Sequence, residues 1–168
     1  MQCPPVPRTD AVPHYPLLPP RSYGGTVVIE QLLEGWARGE HFQLYSQIDI
    51  NPQHIVVLGL TAFHVKVFLL RYDGKTLEFE NFTDRQLPFA PALILSDIQK
   101  IFWPTLPGQG DWRIIDDAGQ RVRYVFYAER LMTRIQYQGA LSGPGEIELV
   151  DLHFGYRLQI QTLTVSST

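Results

Sequence analysis

Residues 41–82, HFQLYSQIDINPQHIVVLGLTAFHVKVFLLRYDGKTLEFENF, alternate short apolar runs with turn formers, and few architectures accept that alternation. In the first run Phe42, Leu44, Ile48 and Ile50 fall on one side of an extended chain and His41, Gln43, Tyr45, Gln47 and Asp49 on the other. This is the period of two that marks a strand buried on one face. Asn51-Pro52 ends the run. Residues 54–60 and 62–72 are almost continuously apolar, β-branched or aromatic, as in central strands shielded on both faces. Asp73-Gly74 supplies the positive φ of a hairpin turn, after which Leu77 and Phe79 face inward and Thr76, Glu78 and Glu80 outward. An antiparallel meander of three or four strands is expected.

The rest of the chain extends the pattern. TVVIEQLL at residues 26–33 begins with β-branched residues that favour a strand, a short helix being the alternative, and Gly35 and Gly39 are expected to break it. PALILSDIQKIFWP is the one convincing helix. Pro91 suits its first turn, Leu95, Ile98 and Ile101 or Phe102 recur at three-to-four spacing, and Trp103-Pro104 stops it. Beyond the TLPGQGD link, strand patterning resumes at residues 112–115 and turns at Asp117-Ala118-Gly119. Val122, Tyr124 and Phe126 are then expected inward against Arg121 and Arg123. Leu131, Thr133, Ile135 and Tyr137 follow, then Ile147 and Leu149, then Tyr156, Leu158 and Ile160, each set alternating with polar residues.

About nine or ten strands and one helix of about a dozen residues make a mainly β (α+β) fold. One short helix cannot cover so broad an apolar face. The antiparallel sheet therefore closes on itself, or curls into an incomplete barrel with the helix as a partial lid. The interior is then either an apolar cavity or is filled by Phe42, Phe63, Phe79, Trp103, Tyr124 and Phe126.

At 168 residues the chain makes one domain, expected at residues 23–168 behind a Pro-rich tether at 1–22 that holds seven of the 13 prolines in its first 20 residues. Fourteen basic against 17 acidic residues leave a net charge of −3 and argue against nucleic acid as a partner. The 11 arginines, several of them late (Arg121, Arg123, Arg130, Arg134, Arg157), leave a local basic face open. No window approaches the ~20 apolar residues of a membrane span. Cys3 is the only cysteine, so no intramolecular disulfide forms. At the head of a Pro-rich arm it is a candidate acylation site with the mature chain starting near it, although no charged and apolar leader precedes it; a free thiol is the other reading.

Motifs for chemistry are missing: there is no Gly-x-Ser-x-Gly elbow, phosphate-cradling glycine loop, His-Glu-x-x-His or Cys-x-x-Cys. His41, His54 and His64 on separate strands are expected as partly exposed polar residues and not as metal ligands. Asp116-Asp117 and Glu146/Glu148 are expected as ordinary surface, and Asn81-Phe82-Thr83 as a chance match to a glycosylation pattern. No cofactor is expected.

Four segments together resemble the LolB-like outer-membrane lipoproteins, including bacterial lipoproteins classed only as a domain of unknown function. They are Cys3 with its Pro-rich arm, VVLGLTAFHVKVFLLRYDGKTLEFEN, PALILSDIQKIFWP and IELVDLHFGYRLQIQTL; the likeness runs over roughly residues 24–163. The resemblance implies an incomplete antiparallel barrel plugged by helices, whose apolar interior takes up acyl chains of lipoproteins or other lipid-linked cargo. It implies no enzyme activity, a monomer anchored through acylated Cys3 to the outer membrane on its periplasmic side, and a periplasmic LolA-like carrier as a possible partner. Leu60 and Phe63 fall where the family inserts a bulky apolar loop tip into membrane; strand burial is the other reading of Phe63. The cavity is expected to be lined by Phe42, Leu44, Ile48, Val65, Val67, Leu77 and Phe79 of the meander. Leu95, Ile98, Phe102 and Trp103 of the helix and Tyr124, Phe126 and Leu158 of the late strands complete it. Two other classes stay open: an envelope scaffold or assembly factor with a filled barrel, and an acyl-group enzyme with a polar dyad inside.

Overall fold

A computed structural model describes residues 14–167. Ten strands carry the fold: β1 (Val27–Ala37), β2 (Glu40–Ile50), β3 (Ile55–Leu60), β4 (Lys66–Tyr72), β5 (Leu77–Asn81), β6 (Trp112–Asp117), β7 (Val122–Tyr127), β8 (Arg130–Tyr137), β9 (Glu146–Asp151) and β10 (Tyr156–Ser167). All pair antiparallel in one open sheet ordered β5-β4-β3-β2-β1-β10-β9-β8-β7-β6. Each half is a meander of consecutive strands, and the first and last strands meet at the centre, where Val27–Ala37 runs against Tyr156–Ser167.

Local chemistry sets the turns. Arg38 and Gly39, with φ of 50° and 76°, form a two-residue link between β1 and β2, and Ala128 and Glu129 (45° and 68°) do the same between β7 and β8; two positive-φ residues match the strand twist. At the β4–β5 turn, Asp73 Oδ1 accepts from the backbone N–H of Lys75 and of Thr76 at 2.8 and 2.7 Å. Gly35 does not break β1. It sits inside the strand opposite Phe42, whose ring covers it. β3 and β4 are also less enclosed than their composition suggests, since Lys66 and Arg71 are exposed and the β4 strand starts only at Lys66.

The helix α1 (Pro91–Phe102) joins the two meanders and is buried at every residue from Leu95 to Phe102. It reaches β10 through Asp97, β8 through Lys100, and the far half of the sheet through Ile98 and Phe102. The sheet therefore wraps around it as an unclosed barrel. A helix buried on all sides must satisfy its last carbonyls internally. Arg123 does this: it is fully buried and uses all five N–H donors, to the carbonyls of Lys100 and Trp103 (both 2.8 Å) and Pro104 (3.3 Å), and to both oxygens of Asp116 (2.8 and 3.1 Å). The Tyr137 hydroxyl donates to the carbonyl of Ile101.

This demand reverses the face expected for β7. Arg123 and Val125 point in, whereas Tyr124 and Phe126 lie on the outer face beside Ile115 and under Arg113, whose guanidinium sits 4.9 Å from the Phe126 ring. Asp116 is correspondingly a partner to a buried cation and not plain surface.

The packed part also begins before Tyr23. Tyr15 and Leu18 are buried, and Gln99 clamps Leu18 by accepting from its N–H and donating to its carbonyl, both at 2.8 Å. Trp103 Nε1 donates to Ser22 Oγ at 2.8 Å. Residues 14–22 thus belong to the folded body, because their apolar side chains have a helix to bury against. Cys3 and the first 13 residues lie outside the described residues.

Candidate functional site

Between α1 and the inner face of the sheet lies a cavity of about 100 Å³. Its sheet side is built by inward positions of five neighbouring strands, among them Leu33, Leu44, Val57, Phe68, Leu158 and Ile160; its helix side includes Ile98, Ile101 and Phe102. The mouth is aromatic. The Phe42 ring covers Gly35 and the Phe68 ring covers Gly59, each occupying the space a side chain on the glycine would need. Phe89, from the link between β5 and α1, sits 5.6 Å from Phe42 and 6.0 Å from Phe68, ring centre to ring centre. Phe42, Phe89, Leu93 and Ile94 here are only half-buried.

Buried polar side chains border the cavity in two places: Gln31 and Ser46 lie in one cross-strand row with Gly59 and Phe68, whereas Tyr156 pairs with Ala37, six positions along β1 from Gln31. Gln31 on β1 and Ser46 on β2 are directly paired and are 3% and 5% exposed; with Asp97 of α1 and Tyr156 of β10 they border the cavity. Gln31 adjoins the irregularity in the β1–β10 ladder between Glu30 and Gln31. The Tyr156 hydroxyl donates to Asp97 Oδ2 at 2.6 Å. Burial, reinforced by the Asp97 and Asp151 carboxylates, pushes that phenol far above its ordinary range, so it stays a donor. Lys100 Nζ lies 2.9 Å from Asp97 Oδ1 and donates to Thr133 Oγ1 at 3.3 Å. The Lys100–Asp97 contact is close enough for charge attraction but is not aligned as a hydrogen bond. Asp97 Oδ1, Gln31 Oε1 and Ser46 Oγ are buried with no hydrogen-bond partner. Beside Tyr156, its cross-strand partner Asp151 is raised above the ordinary carboxylate value by burial.

Of the residues expected to line a cavity, Phe42, Leu44, Ile98, Phe102 and Leu158 border this one. Ile48, Val67 and Leu95 are buried in the surrounding core. Leu77 and Phe79 pack half-buried against it, Phe79 stacking on Phe68 at 5.6 Å. Trp103 is buried past the helix end against Tyr23 and Ser22. Val65 is 61% exposed, and Tyr124 and Phe126 face outward for the reason given above. Sequence reasoning missed Phe68, Phe89, Gln31, Ser46, Asp97 and Tyr156. A signal existed for Gln31 and Ser46: each interrupts an inward apolar alternation, in VVIEQLL and FQLYSQI.

The β3–β4 loop forms a second feature. After Leu60, the Thr61 hydroxyl accepts from the N–H of Phe63 (3.3 Å) and of Val65 (3.2 Å), while the Thr61 N–H donates to the Val65 carbonyl at 2.9 Å. His64 takes a φ of 61°. This closed turn holds Phe63 outward at 88% exposure. Phe63 is therefore not a buried strand residue.

The histidines are dispersed. His41 lies 3.5 Å from Glu34 and against the Trp36 ring, His54 contacts Asn51, and His64 lies by Tyr45. Among the described residues no group of three His, Cys, Asp or Glu is placed to hold a metal ion, and no helix is long and apolar enough to cross a membrane.

The sequence matches none of the curated proteins. Among solved structures the chain is similar to a LolA superfamily protein from Nitrosomonas europaea, at 11% identity and a TM-score of 0.46 over 84% of this chain and 86% of that one. It is also similar to an outer membrane lipoprotein-sorting protein domain from Vibrio parahaemolyticus (6%, 0.44, 86% of each). A DUF1329 family protein from Desulfovibrio piger matches at 6% and 0.42 over 88% of each chain. Residues 28–164 match the family model described as Protein of unknown function (DUF3261), and the chain belongs to that family.

Proposed function

We propose that this protein is a non-enzymatic carrier or receptor for acyl chains, belonging to lipids or lipoproteins, in the bacterial envelope. The observation that carries the reading is the largely apolar cavity between α1 and the sheet, with the Phe42, Phe68 and Phe89 rings clustered at its mouth. Burial of hydrocarbon there is worth about 25 cal/mol per Å² and is non-directional, so one site accepts varied chains and releases them to a neighbour of similar affinity. At about 100 Å³ the cavity is smaller than the roughly 300 Å³ of an ordinary ligand pocket. Uptake of a whole chain therefore requires Phe89 and its link to move aside.

The outward Phe63, held on a closed turn with Val65 beside it, suits insertion into a membrane during handover. In this proposal acylated Cys3 anchors the body to the periplasmic side of the outer membrane, as the LolB-like resemblance implies, and a LolA-like carrier is the donor. The acyl-group enzyme reading finds less support: the His–carboxylate ion pair among the described residues, His41–Glu34, is partly exposed and does not line the cavity.

Displacement of a fluorescent fatty acid from the purified protein tests the proposal. Saturable binding, with competition by unlabelled chains, is expected, and organic extraction of freshly purified protein followed by mass spectrometry should recover lipid. A protein that neither binds the probe nor carries lipid would be a filled envelope scaffold.

A further inference from the structure

Strand β10 outruns one of its neighbours. Its ladder with β9 ends at Gln161 and Glu146, and the Thr162 N–H then donates to the Gly145 carbonyl at 3.0 Å, whereas its ladder with β1 continues to Ser167. Among the described residues nothing pairs with the other edge of residues 163–167, LTVSS, and each of these residues is exposed. An open strand edge is a template for a further strand, and natural sheets guard such edges with charge, proline or brevity. The other open margins here are guarded. Glu78 and Glu80 stand on β5, Arg113, Asp116 and Asp117 on β6, and Glu40 and His41 on the part of β2 that outruns β3. Residues 163–167 carry neither charge nor proline, are rich in residues that favour strands, and leave Leu163 and Val165 at 43% and 42% exposure.

The pattern of the stretch selects its occupant. A margin without charge offers nothing to an acidic or basic partner, and its apolar side chains are best met by apolar side chains directly opposite. Antiparallel pairing of the stretch with itself, centred on Thr164, supplies them: Leu163 of each copy faces Val165 of the other, and Thr164 faces Thr164. Such a contact is two-fold symmetric and closes at two copies. It spares the β3–β4 loop, which lies three strands away across β1 and β2, and the cavity lining, which reaches along β10 only as far as Ile160. We propose that two copies of this protein associate through the open edge of β10, residues 163–167 pairing antiparallel about Thr164 to join the two sheets into one. This dimer takes the place of the monomer that the LolB-like resemblance implied, and it stands independently of the acyl-chain reading.

Sedimentation velocity of the full chain over a concentration series tests the association, and a monomer–dimer equilibrium is expected. The Leu163→Lys/Val165→Lys double variant sets cations against cations across the axis and should raise the dimer dissociation constant at least about tenfold. Both positions are exposed, so the circular dichroism spectrum should not change. Cysteine pairing tests the register in a Cys3→Ser background and does not depend on the lysine variant. Thr164→Cys should oxidise to a covalent dimer, because residue 164 meets its own copy at the roughly 4.5–5.5 Å between Cα atoms that suits a disulfide. Gln161→Cys, whose partner would be Ser167, should not. A chain that stays monomeric throughout the series would overturn the proposal, as would a dimer that the two lysines leave intact. Equal cross-linking at positions 161 and 164 would overturn the pairing about Thr164.

Discussion

The Phe42 ring stands over Gly35 on the neighbouring strand, with its tip 2.1 Å from where a β-carbon on that glycine would be. The two are direct cross-strand partners, so the cavity wall at this point exists because one residue has no side chain. Gly35→Ala should displace the ring and cost about 1–3 kcal/mol, the usual penalty of overpacking. In a Phe42→Ala background the same substitution should cost much less. Urea denaturation of the four proteins measures the coupling, and additivity would show that the ring and the glycine are independent.

Gln31→Leu should make the fold more stable by about 1 kcal/mol, since it removes a buried acceptor that has no partner and keeps a side chain of similar size. Thermal unfolding would register this as a higher Tm. A lower Tm would mean that the carboxamide is held by contacts that outweigh its unmet oxygen.

Asp151 gives a pH dependence with a definite sign. Burial is the main cause of its raised pKa, so the folded chain holds this proton to higher pH than the unfolded chain does. The stabilisation is complete below the ordinary carboxylate value of about 3.8 and is lost as pH rises through the raised one. Asp151→Asn keeps an oxygen for the N–H groups of His153 and Phe154 and cannot ionise. Its stability relative to the unaltered protein should therefore improve as pH climbs from about 4 toward neutrality. Chemical denaturation across that range checks it, and parallel curves would refute it.

Arg123→Leu should cost about 3–5 kcal/mol, because it strips partners from three carbonyls at the end of α1 and leaves Asp116 alone. Asp116→Asn should cost about 1 kcal/mol, since its side chain is partly exposed and the guanidinium keeps its carbonyl partners. Comparable losses for the two would place the weight on the ion pair and not on the helix end.

Phe63→Glu should leave unfolding within about 0.5 kcal/mol, as expected of so exposed a residue. If the loop tip inserts into membrane, flotation with phospholipid vesicles should fall several-fold. Undiminished flotation would take Phe63 out of the handover step.

The meander from β2 to β5, the helix and the late strands were legible because each depends on local signals: turn residues with fixed φ or side-chain acceptors, and a period that switches from two to three or four. The facing of β7 was not. Alternation alone puts Tyr124 and Phe126 inside, and only the presence of a buried helix end needing donors explains why Arg123 takes that face instead. The docking of Tyr15 and Leu18 was hidden for a similar reason, since proline content describes backbone freedom and not whether Gln99 waits 81 positions away to bind Leu18. Of the cavity, the apolar wall could be read in part, whereas the mouth depended on Phe89 in a link with no periodicity. The polar positions Gln31 and Ser46 were written in the sequence as interruptions of an apolar alternation, whose meaning needs the third dimension.

The central seam between β1 and β10 sets the order in which the molecule can be finished. Neither half of the sheet gains its middle neighbour until Tyr156–Ser167 has been synthesised and has zipped against Val27–Ala37, so a nascent chain carries the raw margin of β1 for nearly its whole production and that of β9 from the moment that strand is made. Loss of that last strand by truncation would unmake both halves at once, leaving a species destined for aggregation or proteolysis.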